Sequence, residues 1–561
     1  MLFSQLAQYL EKLEKTSSRL EITAILRQLF ENTSEQEIDK VVYLSLGVLA
    51  PNYEGVILNL AEKMMIKAMG LAYNINSQKV LEKYKKLGDL GNVAENLSPF
   101  TDHLRLPDGQ GSLITVNDVY QNLLNIAKTS GEGSTDQKIT TMANLLKNLD
   151  SLSARFVARI PVGRLRLGFS EKTVLDALGV NESTYNIRPD IGYIAKLAKS
   201  KKLNTVSPKL GVPVVPMLAA RLNSPTEMIK KMGEVSVEPK FDGLRIFIHY
   251  QKPSFLKIFT RNMNYLDENI FPELKDIGQY IKADNVILDT EAVGLDPKRQ
   301  FFVDFQTTMN RRRKHNIDKS TSDTPLQFQV FDILFVDDKS LLQEPYRARR
   351  QMLKSQITNS KLLRVDENTI TKDPEVIRRL HQKYLKMGLE GVIVKKVDGK
   401  YISGRTGWNW VKMKEVEGAR GKLVDTVDLV IMGYTQGKGK RVGFGVGQFL
   451  AGVKDKDNFK TVTKVGTGLT DEQFRDLRKR LEKAKTKDKP KEYEVHKDLT
   501  PDYWVYPQIV VELAADEITV SPKHTARFAL RFPRLVKFRD DKSFSQITTF
   551  DELKNLWKLS H

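Results

Sequence analysis

The segment Glu238-Pro239-Lys240-Phe241-Asp242-Gly243-Leu244-Arg245 brings a lysine, two acids, a glycine turn and an arginine close together. Alternate residues of an extended chain share a face, so the side chains of Glu238, Lys240 and Asp242 can point into one pocket. A lysine that attacks phosphorus must be unprotonated, and cationic neighbours or a divalent metal lower the pKa of such an amine. The segment predicts Lys240 as a nucleophile, although an isolated lysine of this kind is more often an exposed hairpin residue.

Further charged and aromatic motifs follow this segment along the chain. They are Phe259-Thr260-Arg261-Asn262, Ile287-Leu288-Asp289-Thr290-Glu291-Ala292-Val293, Val330-Phe331-Asp332-Ile333-Leu334, Leu389-Glu390-Gly391-Val392-Ile393-Val394-Lys395 and Trp410-Val411-Lys412-Met413-Lys414. Attack at the α-phosphorus of a nucleoside triphosphate develops negative charge on the phosphate oxygens and on the departing pyrophosphate. Lysine, arginine and a divalent ion are therefore needed around it. The order and spacing of this series resemble those of covalent nucleotidyltransferases, and the resemblance favours Lys240 as the nucleophile of a phosphoryl transfer.

Two acids and two lysines in these motifs suit a metal ion and a phosphate. Glu291 and Glu390 offer the hard oxygen ligands that Mg²⁺ prefers, although each alone would be interpreted as a surface acid at a strand end. Lys412 and Lys414 share one strand face and can hold one phosphate together; the alternative is a basic solvent face. Phe331 can stack on a purine, whereas most aromatic residues in an apolar strand belong to the core.

The composition is that of a basic chain without cysteine. Its 561 residues exceed one hydrophobic core and predict several domains. The formal charge of +20 makes nucleic acid a natural partner, because neutralising phosphates releases counterions. The absence of cysteine excludes disulfides, thiolate catalysis and cysteine-ligated zinc. With no apolar run near about twenty residues and no secretory signal, we expect an intracellular protein, in the cytoplasm or nucleoid, with no membrane span.

Three kinds of sequence pattern divide the chain. Up to about residue 204, apolar residues recur at helical spacing and strand signals are sparse. From residue 211 onward, β-branched and aromatic runs alternate with occasional helices, which predicts a mixed α/β domain. After Lys414, strands separated by Gly- and Lys-rich turns predict a small barrel of the oligonucleotide/oligosaccharide-binding (OB) type. The predicted domains are 1–210, 211–416 and 417–561.

The ordered motifs resemble those of covalent nucleotidyltransferases, and in particular the ATP-dependent DNA ligase family in its archaeal and eukaryotic replicative form. The similarity extends over nearly the full length. It includes Arg164-Leu165-Arg166-Leu167-Gly168 in the helical part, Pro216-Met217-Leu218-Ala219 before the α/β part, and Leu530-Arg531-Phe532-Pro533-Arg534 with Arg539-Asp540-Asp541-Lys542 near the C-terminus. The fold that the resemblance implies is multidomain: an all-α N-terminal DNA-binding domain, an α/β nucleotidyltransferase (adenylation) domain and a C-terminal OB-fold β-barrel.

The resemblance also implies a nucleotide site around Lys240, which would accept AMP from ATP and pass it to the 5′-phosphate of a nick. Glu238 would contact the adenine amino group, and Phe331 would stack on the ring. Arg245 and Arg261 would hold ribose and the nick phosphate.

The remaining implied roles concern the metal, the phosphates and DNA. Glu291 and Glu390 would serve the metal and ribose, with Mg²⁺ or Mn²⁺ as the ion, and Lys412 and Lys414 would hold the α-phosphate. The C-terminal motif, which would orient pyrophosphate, comprises Arg531, Arg534, Arg539, Asp541 and Lys542. DNA-binding residues would be Arg164 and Arg166, and the partner would be nicked double-stranded DNA. A sliding clamp is a further implied partner, without a recognisable clamp-binding peptide, and we expect a monomer.

One position departs from the family pattern. The family usually places an arginine four residues before the Trp410 of the Trp-x-Lys-x-Lys motif, where this chain has Thr406 beside Arg405. Arg405 can substitute by a small backbone shift, or the nucleotide contact is lost. The choice of ATP over GTP or ADP also stays open at this stage.

Rival functions share parts of the pattern. An RNA ligase or an mRNA-capping guanylyltransferase carries the same lysine motif, but the large helical N-terminal region argues against both. An NAD-dependent ligase commonly has a cysteine-ligated zinc site, which is impossible here. A non-catalytic DNA-binding scaffold is opposed by the presence of the lysine, the carboxylates and the paired basic residues.

Overall fold

The computed structural model describes most of the chain. The described residues are 1–99, 113–163, 165, 167–222, 224–298, 301–303, 305–311, 321, 323–404, 407–414, 426–437, 443–466 and 469–560. Arg164, Arg166, Arg405 and Thr406 lie outside them. The chain divides into two compact units, Met1–Lys414 and Glu415–His561.

The first part of unit one is helical, as its sequence pattern predicts. Its helices are α1 Phe3–Glu14, α2 Arg19–Glu31, α3 Ile38–Leu46, α4 Glu62–Ala72, α5 Ser77–Leu87, α6 Leu90–Leu97, α7 Val116–Lys128, α8 Ser134–Lys147, α9 Ser151–Arg159, α10 Glu171–Leu178, α11 Glu182–Ile187 and α12 Ile191–Lys199. In α7, the Thr115 side chain accepts from the Asp118 backbone N–H, and the Asp118 carboxylate accepts from the Thr115 N–H, forming a capping box. The apolar residues of α7 recur at helical spacing and are buried in the helical core.

The second part of unit one holds two sheets and several helices. Its strands are β1 Ala220–Arg221, β2 Val235–Lys240, β3 Leu244–Gln251, β4 Phe255–Thr260, β5 Tyr265–Leu266, β6 Asn285–Gly294, β7 Leu326–Val336, β8 Lys339–Ser340, β9 Leu363–Val365, β10 Thr369–Thr371, β11 Gly391–Lys396 and β12 Trp410–Lys414. Its helices are α13 Pro225–Met232, α14 Phe305–Asn310, α15 Tyr346–Gln356 and α16 Pro374–Lys386. One sheet has the order β1-β12-β11-β2-β10, and the other has β5-β4-β3-β6-β7-β8 with β9 beside β7.

In the sheet β1-β12-β11-β2-β10, successive side chains of a strand point to opposite faces, and the apolar face packs against the helices. Val235 and Val237 of β2 pack with Met228 of α13 and Ile377 of α16 in one apolar cluster. The intervening β2 residues, which include Glu238, therefore point to the opposite face. This face carries the polar and charged residues of the sheet.

The described residues of unit two form a strongly curled β structure with two α-helices. Its strands are β13 Val427–Thr435, β14 Gln448–Asp455, β15 Asn458–Val465, β16 Lys485–Thr486, β17 Tyr493–Glu494, β18 Tyr503–Val505, β19 Val510–Ala514, β20 Glu517–Val520, β21 Phe528–Arg531 and β22 Arg534–Phe538, and its helices are α17 Asp471–Ala484 and α18 Phe550–Ser560. The register shifts between Ile431 and Gly433 where β13 meets β14, an irregularity that bends and twists such a pair. The predicted order of an all-α region, an α/β region and an OB-type β region is confirmed.

Among the described residues, no helix combines the length and the apolar character that crossing a membrane requires.

Two neighbouring arginines of α15 allow a test of what stabilises the α/β region. Arg349 is fully buried and donates to both carboxylate oxygens of Asp332, at 2.8 and 2.9 Å. Arg349→Ala leaves the buried Asp332 uncompensated, so we expect a loss of about 3–5 kcal/mol in the free energy of unfolding. Arg347 pairs with Glu234 while 52% exposed, so Arg347→Ala is expected to cost at most about 1 kcal/mol. Equal melting temperatures for the two variants in a thermal unfolding experiment would contradict this interpretation.

Candidate active site

Lys240 ends β2 and lies inside a cluster of charged side chains. Its Nζ is 2.5 Å from Oε2 of Glu390 and also donates to the Phe241 carbonyl at 3.3 Å. The backbone N–H of Glu390 donates to the Lys240 carbonyl at 3.0 Å, which fixes the two residues side by side. The Lys240 side chain is 20% exposed, so it remains accessible to a ligand.

The strand register brings the two lysines of β12, Lys412 and Lys414, close to Lys240. Gly391 pairs with Lys240 on one side and with Lys414 on the other, and Lys414 Nζ is 2.7 Å from the same Glu390 oxygen. Lys412 lies near these two lysines. Burial lowers its pKa, and the positive charges of Lys414 and Lys240 lower it further. The arrangement joins two ammonium groups through one carboxylate and adds a third cation beside them.

Glu390 and Glu291 differ in protonation behaviour although both belong to this cluster. Burial raises the pKa of Glu291 to about 7, against the opposing charges of Lys240 and Arg245. Burial also acts on Glu390, but Lys240 and Lys414 outweigh it and hold its pKa at about 2. Glu390 is therefore ionised throughout the neutral range, whereas Glu291 changes charge within it.

The second sheet contributes Arg245, which stands opposite Glu291 in the β3–β6 register. Its guanidinium donates to both carboxylate oxygens of the buried Asp289, at 2.9 and 2.6 Å, and to the Met217 carbonyl at 2.8 Å. Tyr401 donates to Asp289 at 2.9 Å and accepts from the Met217 N–H at 3.0 Å. Arg245 thus ties the segment that precedes the α/β region to the charged cluster. Its contact with ribose or the nick phosphate stays a prediction.

Phe331 lies on β7, and its stacking on a base stays a prediction. It is half-buried, and its ring meets Trp410 edge-on with centroids 6.0 Å apart. The Lys395 Nζ is 5.0 Å from the Phe331 centroid and donates to the Phe331 carbonyl at 2.8 Å. The same Nζ is 2.5 Å from Oε2 of Glu238, so Glu238 and Phe331 are neighbours through one buried lysine.

The other predicted site residues that the structure describes lie in the turn after β4 and in unit two. Arg261 is exposed in the turn after β4, and its charge is among those that lower the pKa of Lys412. Within unit two, each basic residue of the C-terminal motif pairs with an acid. The pairs are Arg531–Glu517 at 3.3 Å, Arg534–Asp516 at 2.8 Å, Arg539–Asp541 at 2.7 Å, Arg539–Asp428 at 3.1 Å and Lys542–Asp428 at 2.6 Å.

Several residues of the site escaped the reasoning from sequence. Lys395 is the last residue of the Glu390-Gly391-Val392-Ile393-Val394-Lys395 motif. A lysine at the end of an apolar strand is expected to be solvent-exposed, so the sequence does not indicate a role for it. Asp289 lies in the Glu291 motif, and its burial beside Arg245 could have been inferred from strand alternation. Tyr346 and Tyr401 carry no local signal, since their partners are distant in sequence.

Comparison with known proteins agrees with this architecture. The family model for the DNA ligase N terminus matches residues 2–179, that for the ATP dependent DNA ligase domain matches 216–414, and that for the ATP dependent DNA ligase C terminal region matches 443–542. A "Probable DNA ligase" of Dictyoglomus turgidum is 37% identical, covering 100% of this chain and 98% of the relative. The "DNA ligase" of Saccharolobus solfataricus is 36% identical, covering 99% and 97%. A solved structure titled "Pmar-Lig_PreS3" has a TM-score of 0.54 at 18% identity, covering 95% of this chain and 99% of that one, which shows a shared fold.

A helical region, a two-sheeted α/β region and a curled β region, in this order, form the domain layout of ATP-dependent ligases. The chain belongs to the ATP-dependent DNA ligase family. It is an enzyme that uses ATP, binds DNA and forms phosphodiester bonds.

The raised pKa of Glu291 predicts a pH-dependent difference in stability. A carboxyl whose pKa is higher in the folded state favours folding below its unfolded pKa of about 4.3, and this contribution is lost as pH rises through about 7. Glu291→Gln has no such loss, so its melting temperature relative to the wild type should rise between pH 5 and pH 8. Glu390→Gln is the matched control, because a pKa of about 2 leaves Glu390 ionised over the whole interval. A parallel shift for both variants would show that Glu291 does not titrate there.

Gly391 gives a test of how tightly the strands hold the charged cluster. Its φ is +134°, and a Cβ added to it would lie 2.2 Å from the Met413 carbonyl oxygen. Gly391→Ala must displace β12, and because misplacement of about 1 Å costs roughly 100-fold in rate, we expect nick sealing to fall by about that factor. Gly388 also has a positive φ but open space around its Cβ, so Gly388→Ala should cost only backbone strain of about 1–2 kcal/mol. Equal sealing rates in the two variants would contradict the predicted clash.

Proposed function

We propose that this chain seals nicks in duplex DNA through a covalent Lys240–AMP intermediate and an adenylated DNA 5′-phosphate. The observation that supports this most directly is the position of the Lys240 amine, 2.5 Å from Glu390 and next to Lys414 and Lys412. Lys240 ends β2, Glu390 immediately precedes β11, and both Lys412 and Lys414 belong to β12 of the same sheet. Such a cluster holds an attacking amine beside the charges that a phosphate requires.

The reaction comprises three phosphoryl transfers. In the first, the unprotonated amine of Lys240 attacks the α-phosphorus of ATP, so a P–N bond forms, the P–O bond to pyrophosphate breaks and a proton leaves the nitrogen. In the second, the 5′-phosphate of the nick attacks the same phosphorus and releases the lysine. In the third, the 3′-hydroxyl attacks the activated 5′-phosphate and releases AMP.

The protein contributes alignment and charge in these steps. Lys412 and Lys414 hold the α-phosphate oxygens, Phe331 stacks on the adenine, and Glu238 accepts from its amino group. Arg245 and Arg261 hold the ribose and the nick phosphate. Each contact acts by orienting a reacting group or by neutralising charge that develops on oxygen.

A divalent ion, Mg²⁺ or Mn²⁺, fits the donor set of Glu291 and Glu390. Among the described residues no three acidic or histidine side chains form a cluster, which suits an ion bound by one or two carboxylates and completed by water and triphosphate oxygens. Glu390 already attracts two ammonium groups, so its carboxylate favours positive charge. When bound, the ion would neutralise charge on the departing pyrophosphate.

We further propose domain boundaries at 1–210, 211–416 and 417–561, a monomeric and intracellular enzyme, and a sliding clamp as a partner. The helical domain would bind the phosphates of nicked double-stranded DNA, with Arg164 and Arg166 among its contacts. Arg405 would take the place of the arginine usual at position 406. In the C-terminal motif, Arg531, Arg534, Arg539, Asp541 and Lys542 would orient pyrophosphate during the first step.

Loss of the attacking amine tests this mechanism. Lys240→Ala should form no protein–AMP adduct with labelled ATP, yet should retain measurable sealing of a pre-adenylated nick, because the third transfer, the attack of the 3′-hydroxyl, does not use the amine. Lys396→Ala, on the neighbouring strand β11, is the matched control and should form the adduct at the wild-type level. An adduct of wild-type intensity in Lys240→Ala would exclude this lysine as the acceptor.

The same assay separates the rivals. Labelled GTP followed by RNA would reveal a capping enzyme or an RNA ligase, and a scaffold would form no adduct with either nucleotide. No feature of the site favours these alternatives over a DNA ligase.

A further inference from the structure

The carboxylate of Glu238 is enclosed by hydrogen-bond donors. Its Oε2 is 2.5 Å from the Lys395 Nζ, and its Oε1 accepts from the Tyr346 hydroxyl and, at 3.2 Å, from the Ser236 hydroxyl. The side chains of Glu238 and Lys395 are each 1% exposed. An acid two residues before the catalytic lysine is therefore held by partners from α15 and β11, and its orientation is not free.

One of the donors around Glu238, Lys395, also contacts Phe331, the residue on which the base is proposed to stack. Besides contacting Glu238, Lys395 donates to the Phe331 carbonyl at 2.8 Å and lies 5.0 Å from the centroid of the Phe331 ring and 4.6 Å from that of Trp410. A cation over aromatic faces is stabilised by the ring quadrupoles, so this lysine connects the acid and the rings rigidly. Lys395 therefore links Glu238 to the ring on which the base is proposed to stack.

The Tyr346 hydroxyl can act only as a donor to this carboxylate. Burial, followed by the charge of Glu238, raises the pKa of Tyr346 well above its ordinary value, so the hydroxyl keeps its proton. An ionised carboxylate offers about four acceptor positions. Lys395 and Tyr346 donate to Glu238, and the Ser236 hydroxyl, whose oxygen is also 3.4 Å from the Tyr346 hydroxyl, can donate to it as well. These donors fix the orientation of the carboxylate.

We propose that Tyr346 and Lys395 are positioning residues that make the site select adenine over guanine, by fixing the orientation of the Glu238 carboxylate. This inference rests on the proposed Lys240–AMP mechanism. Adenine presents an amino donor at its six position, whereas guanine presents a carbonyl acceptor there. A fixed carboxylate accepts from the first and repels the second, and such polar discrimination is far stronger than discrimination by shape.

Tyr346→Phe tests the inference with the smallest change, since it removes one oxygen and keeps the ring. The full-length protein is incubated with labelled ATP or GTP, and kcat/KM for adduct formation is measured for each. With one oxygen of Glu238 released, we expect the ATP-to-GTP ratio to fall by about tenfold or more.

The matched control is Tyr384→Phe. Tyr384 is also buried and hydrogen-bonded to a glutamate, Glu367, but it belongs to the apolar cluster on the helix face of the same sheet. Its removal should leave the ATP-to-GTP ratio unchanged. A ratio that stays constant in Tyr346→Phe, or that falls equally in both variants, would overturn the inference, because a merely structural role slows both nucleotides together.

Lys395→Met provides a second variant, checked for folding by its melting temperature. If it folds, the ratio should fall as in Tyr346→Phe; a folded variant with the wild-type ratio would contradict the role of Lys395. Failure of the two hypotheses is distinguishable. A wild-type protein without nucleotide preference overturns the inference alone, whereas absence of any adduct on Lys240 overturns the proposed mechanism.

Discussion

The ion pairs of Glu390 with Lys240 and Lys414 are the interaction on which the site depends. Separate cations at this position would repel each other, and an acid left there alone would be costly to desolvate. One carboxylate oxygen, 2.5 Å from the first lysine and 2.7 Å from the second, resolves both difficulties. Because the three residues come from different strands or strand ends, the charged cluster exists only when the sheet has formed.

Similar pairs recur around the charged cluster, each linking parts of the chain that are distant in sequence. Arg245 joins β3 to Asp289 of β6, and Arg349 joins α15 to Asp332 of β7. Their acids are almost completely buried. Breaking such a pair leaves an uncompensated charge in the interior, so these contacts specify one arrangement of the strands more strongly than apolar packing alone would. A rigid arrangement suits an enzyme whose contribution is alignment.

The C-terminal motif follows the same rule within its own unit. Arg539 and Lys542 share Asp428, so both cations are neutralised by the β structure that carries them. Asp428 and Glu512 are direct cross-strand neighbours, a like-charge pairing that is unfavourable unless a cation lies between them, and Arg539 supplies that cation. Any anion that binds these residues must compete with acids already in place.

The sequence by itself determined the family, the order of the three regions and the motif around Lys240, because hydrophobic period and short-range spacing are local properties. It also placed Lys412 and Lys414 on one strand face. Only the tertiary structure decided three contacts. Glu390 bridges two of the lysines, Asp289 forms an ion pair with Arg245, and Tyr346 and Lys395 donate hydrogen bonds to Glu238. Those contacts depend on strand register and on helix packing between residues far apart in the chain. A single sequence carries no local signal for such pairings. The electrostatic attraction between the paired charges becomes strong only when folding buries them away from water.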